Sequence, residues 1–340
     1  TKDHGPTKAA MFVSGLCAVV GFHAPSTSIA PTSTNVLRAS RCSAPILAEP
    51  QIEWQDASVV SNEQLARGTM QLRIRASTPH SYRAGHILGF EMAHPESGEG
   101  LKGPYTVSRA VDESAFDLIY RVIPSGRKTP FMEQLAAGDT VRFGGRFGVP
   151  VDEGIAPECD RVVGIATGAG IGPLVGFAET ALAREDGPRV ELYCGFRDLA
   201  DVAMGSACDT LAAAHPDRFS WRPIVSKPMA CTAVNLAGLG SSGGDGDGDG
   251  GDASSAAAGP LQGRVSTVVP ALLGEVGGTT HFHLVGNGQF VVDFKQGLLD
   301  GGIAEGRVTT EKYFNGKAEA DADVAKFVAD AVRERLVVAA

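Results

Sequence analysis

Apolar and polar side chains alternate in short segments between residues 69 and 145. The segment "TMQLRIRAS" (69–77) has this alternation, and Gly, Pro and Ser residues separate it from the next segments. A period of two is typical of half-buried β-strands, so the pattern predicts a small antiparallel β-barrel. One short helix, "TPFMEQLAA" (129–137), interrupts the strands, with proline in its first turn and glycine after its end. The other predicted strands are "AGHILGFEMA", "YTVSRAV", "FDLIYRVI" and "DTVRFGG".

The pattern changes after about residue 155, where longer apolar segments begin. "RVVGIA" (161–166) and "RVELYCGF" (189–196) predict buried strands, whereas "GPLVGFAETALARE" (172–185) and "LADVAMGSACDTLAAAH" (199–215) predict helices. Strands that alternate with helices form βαβ units around a mainly parallel sheet. The sequence therefore predicts a doubly wound α/β domain after the barrel.

Two segments fit neither domain. Residues 237–259 are a low-complexity stretch of Gly, Ser, Ala and Asp, which lacks the glutamate that closes a calcium-binding loop. Residues 317–340 predict an amphipathic helix that packs on the body or binds a partner, with Val324, Phe327, Val328 and Val332 on one face. The predicted regions are 1–48, a disordered targeting segment; 50–155, the barrel; 156–316, the α/β domain with its insertion; and 317–340, a helical extension.

The segment 1–48 has the composition of a targeting peptide. It holds no Asp or Glu from His4 to Ala48, and it contains the short apolar run "AAMFVSGLCAVVGF". Such a run is too short to span a membrane and is typical of a signal peptide, while the acid-free stretch behind it is typical of a transit peptide. The junction at Phe22 resembles the cleavage region of two-part plastid targeting signals in algae. We therefore predict the plastid stroma, with a mitochondrial presequence as the alternative.

Charge and cysteine spacing exclude several classes of function. The net charge of −9 makes nucleic acid or an anionic membrane surface a poor partner, and no window holds the ~20 apolar residues of a membrane span. None of the 6 cysteines forms a C-x-x-C pair, so neither a zinc site nor an iron–sulfur cluster is indicated. His281 and His283 share one face of a predicted strand without further metal ligands, and we predict no metal site.

The strongest chemical motif is "GIATGAGIGPL" (164–174). An apolar strand ends at Ala166, a glycine-rich turn follows, and a helix begins near Pro173. Glycines let a phosphate approach the backbone closely, and the helix N-terminus offers free N–H groups and the positive end of its dipole. The motif predicts a nucleotide-phosphate site.

Six motifs follow one another in the order of a known superfamily: "PYTVS", "GRKTPFMEQLAAGDTVRFGGRFG", "TGAGIGP", "LYCGFR", "LVGNGQFV" and "VTTEKYF". Over roughly residues 52–315 the chain resembles the ferredoxin–NADP⁺ reductase superfamily. The resemblance implies an FAD-binding barrel followed by a nicotinamide-binding α/β domain. The implied cofactors are FAD and NADPH, with NADH as the alternative to NADPH.

The resemblance implies three catalytic candidates. Tyr105 would lie against the flavin ring, and Thr106 would form a hydrogen bond near the flavin N5. Glu311 matches the family's carboxylate near the flavin, and Tyr313 and Phe314 match its terminal aromatic residues. Hydride transfer between two flat rings needs positioning and exclusion of water, which such residues supply.

The resemblance also implies the cofactor-binding residues. On the flavin side the implied residues are Pro104, Tyr105, Thr106, Val107 and Ser108. At the FAD pyrophosphate they are Gly126, Lys128 and Thr129. Those of the nicotinamide cofactor's pyrophosphate are Thr167, Gly168, Gly170 and Pro173, and those near the nicotinamide are Gly286, Asn287 and Gly288. Arg197, Ser226 and Lys227 fall on the adenine side, where basic residues suit the 2′-phosphate of NADPH.

Three departures from the family pattern bear on function. The arginine that usually precedes the tyrosine by two residues, and that pairs with the FAD pyrophosphate, is Gly103. Lys102 and Arg109 are the candidates to compensate, but neither provides the guanidinium fork at the required place. The usual cysteine before the nicotinamide-side glycine is Val285, and the chain continues past Phe314, so the extension must fold aside or cover the flavin.

These patterns leave three functions open. The first is a reductase that passes electrons between NADPH and a one-electron acceptor such as ferredoxin, or to a small-molecule acceptor. The second is an NADH-dependent diaphorase of the cytochrome b5 reductase kind, and the third is a redox-inactive nucleotide-binding relative. Since ferredoxins are usually acidic, a ferredoxin partner needs a local basic patch on this acidic chain. The candidates for such a patch are Arg121, Arg127, Lys128, Arg142 and Arg146.

Overall fold

The predicted barrel is confirmed in the computed structural model, which describes residues 53–228, 259–314 and 316–337. Six antiparallel strands close in the order β1-β2-β5-β4-β3-β6. The aromatic rings of Phe116 and Phe143 pack edge to face at its centre, with ring centroids 5.2 Å apart. The strands are β1 (Trp54–Ala66), β2 (Thr69–Ala76), β3 (Ile87–Ala93), β4 (Gly100–Ala110), β5 (Ala115–Arg121) and β6 (Thr140–Phe147).

Strand β1 was not predicted from the apolar pattern. Its sequence "WQDASVVSNEQLA" is largely polar, and only Ala57 and Val59 are fully buried. The strand is held by backbone pairing with β2 on one side and β6 on the other, which closes the barrel. A strand stabilised by pairing on both sides needs few apolar residues, so alternation alone does not reveal it.

The helix predicted over 129–137 is shorter than expected: α1 is Thr129–Met132. The side-chain amide of Asn62 donates hydrogen bonds to the carbonyls of Met132, Glu133 and Leu135 at 2.8, 3.2 and 3.1 Å. These carbonyls are ones that a longer helix would pair internally. The contact with β1 therefore ends the helix early.

The second half of the chain forms the predicted parallel sheet, with strand order β10-β9-β8-β7-β11-β12. The chain runs outward from β7 in one direction and then returns to β11 on its other side, so a crevice opens at the carboxyl ends of β7 and β11. The strands are β7 (Arg161–Thr167), β8 (Arg189–Phe196), β9 (Phe219–Val225), β10 (Leu261–Gln262), β11 (Thr280–Asn287) and β12 (Val308–Phe314). The helices are α2 (Ile171–Leu182), α3 (Gly205–Ala214), α4 (Val265–Leu272), α5 (Gly288–Asp300) and α6 (Ala322–Arg333).

The helix predicted over 199–215 is wrong in its first half. A short 3₁₀ turn occupies Leu199–Asp201, and Met204 then takes a left-handed conformation, with φ of 57°, before α3 begins. The carboxylate of Asp201 is buried and pairs with Arg67 of the barrel at 2.9 Å. This tie to the β1–β2 turn competes with a continuous helix.

Helix α2 packs directly against barrel strand β4. A Cβ atom at Gly176 would overlap the carbonyl oxygen of Ser108, and one at Gly172 would lie 2.9 Å from the Ser108 hydroxyl. Arg109 of β4 also binds Glu179 of α2 at 2.8 Å. Small residues on α2 thus bring the site-bearing strand of the barrel against the sheet domain.

The extension folds aside along α5. Val328 and Val332 of α6 are fully buried, and a Cβ atom at Gly297 of α5 would lie 2.5 Å from Cβ of Val328. The predicted apolar face is wrong at Phe327, which is 48% exposed. The buried positions are Ala325, Val328, Ala329 and Val332, because this row of the helix faces α4 and α5.

Two of the predicted segments cannot be compared with the structure. The targeting segment 1–48 and all but the last residue of the insertion 237–259 lie outside the described residues. In the part of the chain that is described, no helix is long and apolar enough to cross a membrane. His281 and His283 both bond the hydroxyl of Thr309, at 2.8 and 2.7 Å. No group of three or more potential metal ligands occurs among the described residues.

Candidate functional site

A hydroxyl, a carboxyl and a phenol meet where the barrel lies against the sheet. Thr106 of β4 donates a hydrogen bond from Oγ1 to Oε1 of Glu311 on β12, across 205 positions of sequence. Tyr313 of β12 lies beside both side chains. Burial raises the pKa of Glu311 to about 7, and the hydrogen bond from Thr106 opposes that rise. A carboxyl with this pKa can gain or lose a proton near neutral pH.

The sheet register places this carboxyl at the crevice. Glu311 is the direct neighbour of Val285 in the parallel pairing of β12 with β11, and Gly286 and Asn287 follow Val285 at the strand end. Burial and the carboxyl of Glu311 raise the pKa of Tyr313 well above its usual range, so the phenol keeps its proton. Phe314 follows it and is 49% exposed.

Tyr105 precedes Thr106 on β4 and presents a half-buried aromatic ring. The ring packs edge to face on Phe90, with centroids 5.5 Å apart, and the hydroxyl lies 2.9 Å from the sulfur of Met132. The amine of Lys128 lies over the ring, 4.5 Å from its centroid. Burial raises the pKa of Tyr105 above its usual value, so the phenol stays neutral. The structure thus brings Tyr105, Lys128 and the Thr106–Glu311 pair into one region.

The residues next to Tyr105 and Thr106 on β4 have different surroundings. Pro104 is exposed, in a stretch of β4 that pairs with β3 alone, since pairing with β5 begins at Val107. The Val107 side chain is fully buried in the barrel core. The Ser108 hydroxyl is buried beside α2 with no hydrogen-bond partner in the described chain. Neither of these last two side chains joins Tyr105 and Thr106 in the site.

The two cations considered as replacements for an arginine at 103 are committed elsewhere. Lys102 pairs with Glu91 at 3.3 Å and lies 5.2 Å from the centre of the Trp54 ring. The guanidinium of Arg109 pairs with the buried carboxylate of Asp117 and, across the domain contact, with Glu179. Neither cation is therefore free to compensate for Gly103.

Gly126 and Thr129 form the turn that leads into α1. The backbone N–H of Gly126 donates to the carbonyl of Ile123 at 2.8 Å, and the Thr129 hydroxyl accepts from the Ile123 N–H at 2.9 Å. The expectation that Gly126 offers its N–H to a phosphate is corrected by this bond, because the donor is already used. Both residues fix the loop that carries Lys128, and a bond from the Thr129 N–H to a phosphate stays a prediction.

The glycine-rich turn follows β7 as predicted, although α2 begins at Ile171 rather than near Pro173. Gly168 has φ of +57°, and a Cβ atom there would have nothing within 4 Å, so this backbone faces open space. A Cβ atom at Gly170 would lie 2.8 Å from the carbonyl oxygen of Val285. Pro173 is buried within α2. Gly168 is thus the glycine of this turn that faces outward.

The end of β11 is fastened to the same turn. The Asn287 N–H donates to the Thr167 hydroxyl at 2.9 Å, and a Cβ atom at Gly286 (φ +133°) would overlap that hydroxyl. The Asn287 side chain caps α5 by accepting from the Gln289 N–H, and Gly288 is the first, buried residue of that helix. Glycine at 286 is therefore required by the close approach of the two strand ends.

A cavity of about 700 Å³ opens at these strand ends. The predicted residues that line it are Thr167, Gly168, Arg197, Ser226 and Asn287, and the exposed ring of Phe314 lines it as well. Lys227 lies outside this lining and pairs with Asp198 at 3.5 Å. The crevice expected from the strand order thus coincides with half of the predicted nucleotide residues, while Gly170, Pro173, Gly286, Gly288 and Lys227 do not line it.

Arg264 also lines the cavity and was missed by the sequence analysis. It directly precedes α4, after Gly263, which has φ of +142°. The sequence feature that could have identified Arg264 is its position between a short strand and a helix, at the carboxyl edge of a parallel sheet. The short strand before Arg264 was not recognised because it closely follows the low-complexity insertion.

Most of the candidate basic patch is neutralised in the structure. Arg121 pairs with Asp201 at 3.6 Å, Arg127 with Glu99 at 3.8 Å, and Arg142 with Asp56 and Glu91 at 3.4 and 3.2 Å. Arg146 bonds the Ser81 hydroxyl. These residues do not form a continuous unpaired positive surface.

Comparison with known proteins gives sequence matches to part of this chain. Residues 165–233 match the oxidoreductase NAD-binding domain family. The chain is 33% identical over 177 residues to the reductase subunit of an aromatic O-demethylase from Amycolatopsis sp., covering 50% of this chain and 51% of that one. It is 26% identical over 182 residues to NADH-cytochrome b5 reductase 2 of Yarrowia lipolytica, covering 52% and 61%. The chain thus spans about half to three-fifths of these relatives' length.

Solved structures share the fold. A ferredoxin NADP⁺ reductase from Neisseria gonorrhoeae, with bound FAD and NADP, superposes with a TM-score of 0.61 at 18% identity, over 77% of this chain and 99% of that one. The Amycolatopsis cytochrome P450 reductase superposes with a TM-score of 0.60 at 24% identity, over 77% and 70%. A closed antiparallel barrel followed by a parallel nucleotide-binding sheet is therefore a shared architecture.

Proposed function

We propose that this chain, which has the two-domain fold of the ferredoxin reductase-like superfamily, is a flavin-dependent oxidoreductase that passes electrons from NADPH to a one-electron acceptor. One observation carries the proposal: the Thr106 hydroxyl meets the Glu311 carboxyl beside Tyr105, and Glu311 lies on the strand whose last residue, Phe314, lines the cavity. Fold alone does not identify an activity, whereas these side chains form a site that can exchange a proton beside an aromatic ring.

The barrel side of the site suits FAD. Tyr105 offers an aromatic face to a flat ring, and the amine of Lys128 lies over it without an acidic partner among the described residues. A cation beside an aromatic face matches a ligand with a flat ring and a phosphate. When bound, FAD accepts hydride from a nicotinamide and releases electrons singly, which no side chain here can do.

The sheet side of the site suits a dinucleotide. The cavity lies at the carboxyl ends of β7, β8, β9 and β11, the edge at which α/β sheets bind nucleotides. Gly168 presents open backbone there, and the exposed ring of Phe314 lies at the same cavity. Arg197, Ser226 and Arg264 supply positive charge and hydrogen-bond donors for a 2′-phosphate, which favours NADPH over NADH.

Thr106 and Glu311 hold a proton at the point where the two domains meet. A carboxyl with a pKa of about 7 is protonated in roughly half of the molecules at neutral pH. The Thr106 hydroxyl can accept that proton on one side while donating on the other, so the pair can supply or remove a proton at an adjacent ring nitrogen. Both side chains are partly buried, which limits the access of water to the pair.

The acceptor is proposed to be a protein. The relatives in the comparisons are named as reductases of an O-demethylase and of cytochrome b5, which favours a small electron-carrying protein. Because the candidate basic patch is largely paired, a ferredoxin-like acceptor would gain little electrostatic steering. Turnover with NADPH, measured with a ferredoxin and with cytochrome b5 as acceptors, distinguishes the ferredoxin reductase from the cytochrome b5 reductase type.

The proposal is tested with the purified full chain reconstituted with FAD. We expect a yellow protein whose visible flavin absorption bleaches on anaerobic addition of NADPH and returns when an acceptor is added. Retained flavin that NADPH does not bleach would favour the redox-inactive alternative. A chain that holds no flavin after reconstitution would contradict the proposal.

The plastid location is a separate proposal that rests on the composition of residues 1–48. A fluorescent protein fused behind this segment should enter the plastid of an alga with secondary plastids. Entry into mitochondria would support the alternative presequence.

A further inference from the structure

Lys128 is a partly buried cation at the barrel side of the site. Its amine lies over the ring of Tyr105, 4.5 Å from the centroid. The amine also occupies the space beside Gly103, where a Cβ atom would overlap it. Gly103 and Tyr105 lie two residues apart on β4, whereas Lys128 comes from the loop before α1. Glycine at 103 is what admits the lysine to this strand.

Three basic residues on the same strand as Gly103 or the same loop as Lys128 have acidic partners. Lys102 pairs with Glu91, Arg109 with Asp117 and Glu179, and Arg127 with Glu99. Lys128 has no carboxylate within ion-pair distance in the described parts of the chain. A cation removed from water without an anion is unfavourable, and burial accordingly lowers the pKa of Lys128 to about 8.

The loop that carries Lys128 is fixed rather than loose. The Thr129 hydroxyl bonds the Ile123 N–H at 2.9 Å, and the Gly126 N–H bonds the Ile123 carbonyl at 2.8 Å. Gly126 and Thr129, on either side of the lysine, are thus held by Ile123, just after β5, and the Lys128 side chain reaches β4 beside Gly103. An unpaired cation that a braced loop holds against an aromatic face is arranged for an anionic ligand with a flat ring.

We propose that Lys128 is the cation that binds the phosphate groups of the flavin dinucleotide, reaching across Gly103 from the loop before α1. This inference rests on the proposed function, because it assumes that a flavin lies against Tyr105. When the amine turns to the phosphate, it also uncovers the face of Tyr105. Phosphate binding and access to the aromatic face are then coupled through one side chain.

The test compares Lys128→Met with a matched control, Lys102→Met, in the full chain freed of flavin. Binding of FAD and of riboflavin, which lacks phosphate, is measured by fluorescence titration. Loss of one charge-assisted contact should weaken FAD binding by roughly 10- to 100-fold, and riboflavin binding should stay unchanged. The control should bind both ligands as the wild type does.

A second arm uses the titration of the amine. Binding a phosphate favours the protonated amine, so FAD affinity should be constant below about pH 8 and decline as pH rises above it. Lys128→Arg keeps its charge throughout this range and should remove the decline. The affinity of the wild type for riboflavin should not decline above pH 8.

A third arm asks whether the cation can be moved. Gly103→Arg in the Lys128→Met background should restore much of the lost FAD affinity, because the new side chain starts from the strand that Lys128 crosses. Unchanged FAD affinity in Lys128→Met, or equal loss of FAD and riboflavin, would overturn the inference while leaving the proposed flavoenzyme intact. A wild-type chain that binds neither flavin would overturn the proposed function itself.

Discussion

Glu311 is a partly buried carboxyl whose raised pKa bears on both catalysis and stability. Its pKa of about 7 follows from burial between β4 and β12, where the charged form loses its hydration. The same burial makes the side chain useful for proton exchange and unfavourable for stability. Stability and catalysis can therefore be measured on the same substitution.

Glu311→Gln should change how stability depends on pH. A pKa raised from 4.5 means that the folded protein holds a proton which the unfolded chain has lost, so wild-type stability falls as pH rises from about 4.5 to 7 and stays lower above it. The variant should lack this contribution and exceed the wild type above pH 7 by about 1–3 kcal/mol. Urea unfolding at pH 5 and pH 8 measures the difference. The exposed Glu96→Gln serves as control, and identical pH dependence of Glu311→Gln and the wild type would contradict the burial argument.

The same carboxyl should shape the pH dependence of turnover. Wild-type turnover with NADPH and a dye acceptor should change through an inflection near pH 7, and Glu311→Gln should remove the inflection and lower the rate by about 100-fold. Thr106→Val should move the inflection to higher pH, because the Thr106 hydrogen bond lowers the pKa of Glu311. An unshifted inflection in Thr106→Val would show that the pair does not act together.

Arg264 allows a test of cofactor choice. Arg264→Gln removes a positive charge from the cavity and should raise the KM for NADPH about ten-fold, with the KM for NADH unchanged, if the guanidinium binds the 2′-phosphate. Lys227→Gln is the matched control, since Lys227 pairs with Asp198 outside the cavity lining. Equal increases for both cofactors would indicate general binding rather than phosphate recognition.

At the level of elements, the extension is part of the sheet domain. Helix α6 is capped by Asp321, whose side chain accepts from the N–H groups of Asp323 and Val324. The Asp321 N–H in turn donates to Asp293 of α5 at 2.8 Å, and Gln289 bonds the Glu319 carbonyl. These contacts hold residues 319–324 along α5, and Phe314 remains exposed among the described residues.

Substitutions on α6 should separate its two faces. Val328→Ala removes a fully buried side chain that packs on Gly297 and should lower the free energy of unfolding by about 1–3 kcal/mol. Phe327→Ala removes a larger but half-exposed side chain and should change it by less than about 0.5 kcal/mol. Urea unfolding ranks the two variants. A larger loss in Phe327→Ala would mean that this ring is covered in solution.

Elements that bury a regular apolar face could be predicted from the sequence. Those held by backbone pairing or by an ion pair with another domain could not. Strand β1 is polar because pairing on both sides holds it, and the break at Met204 depends on Asp201 reaching Arg67 of the barrel. The resemblance supplied Thr106 and Glu311 as separate candidates, whereas their contact depends on domain packing. The place of Lys128 beside Gly103 depends on loop geometry, which no local pattern encodes.

At the scale of the molecule, charge should govern the encounter with protein acceptors. The net charge is −9, and most of the candidate basic patch is paired. Electron transfer to an acidic ferredoxin should therefore become faster as salt rises from about 20 to 200 mM, because screening weakens repulsion. Transfer to a basic protein such as cytochrome c should become slower. Stopped-flow rates across this range measure the effect, and slower transfer to ferredoxin would indicate a local positive surface.

The pairing of Gly103 with Lys128 has an evolutionary consequence. If the Lys128 amine binds the FAD phosphates in place of an arginine at 103, a change at one of these positions requires a change at the other. Relatives with glycine at position 103 should keep a basic residue at 128, and relatives with arginine at 103 should accept uncharged residues at 128. The two positions should therefore covary across the family, although they lie on different elements of the barrel.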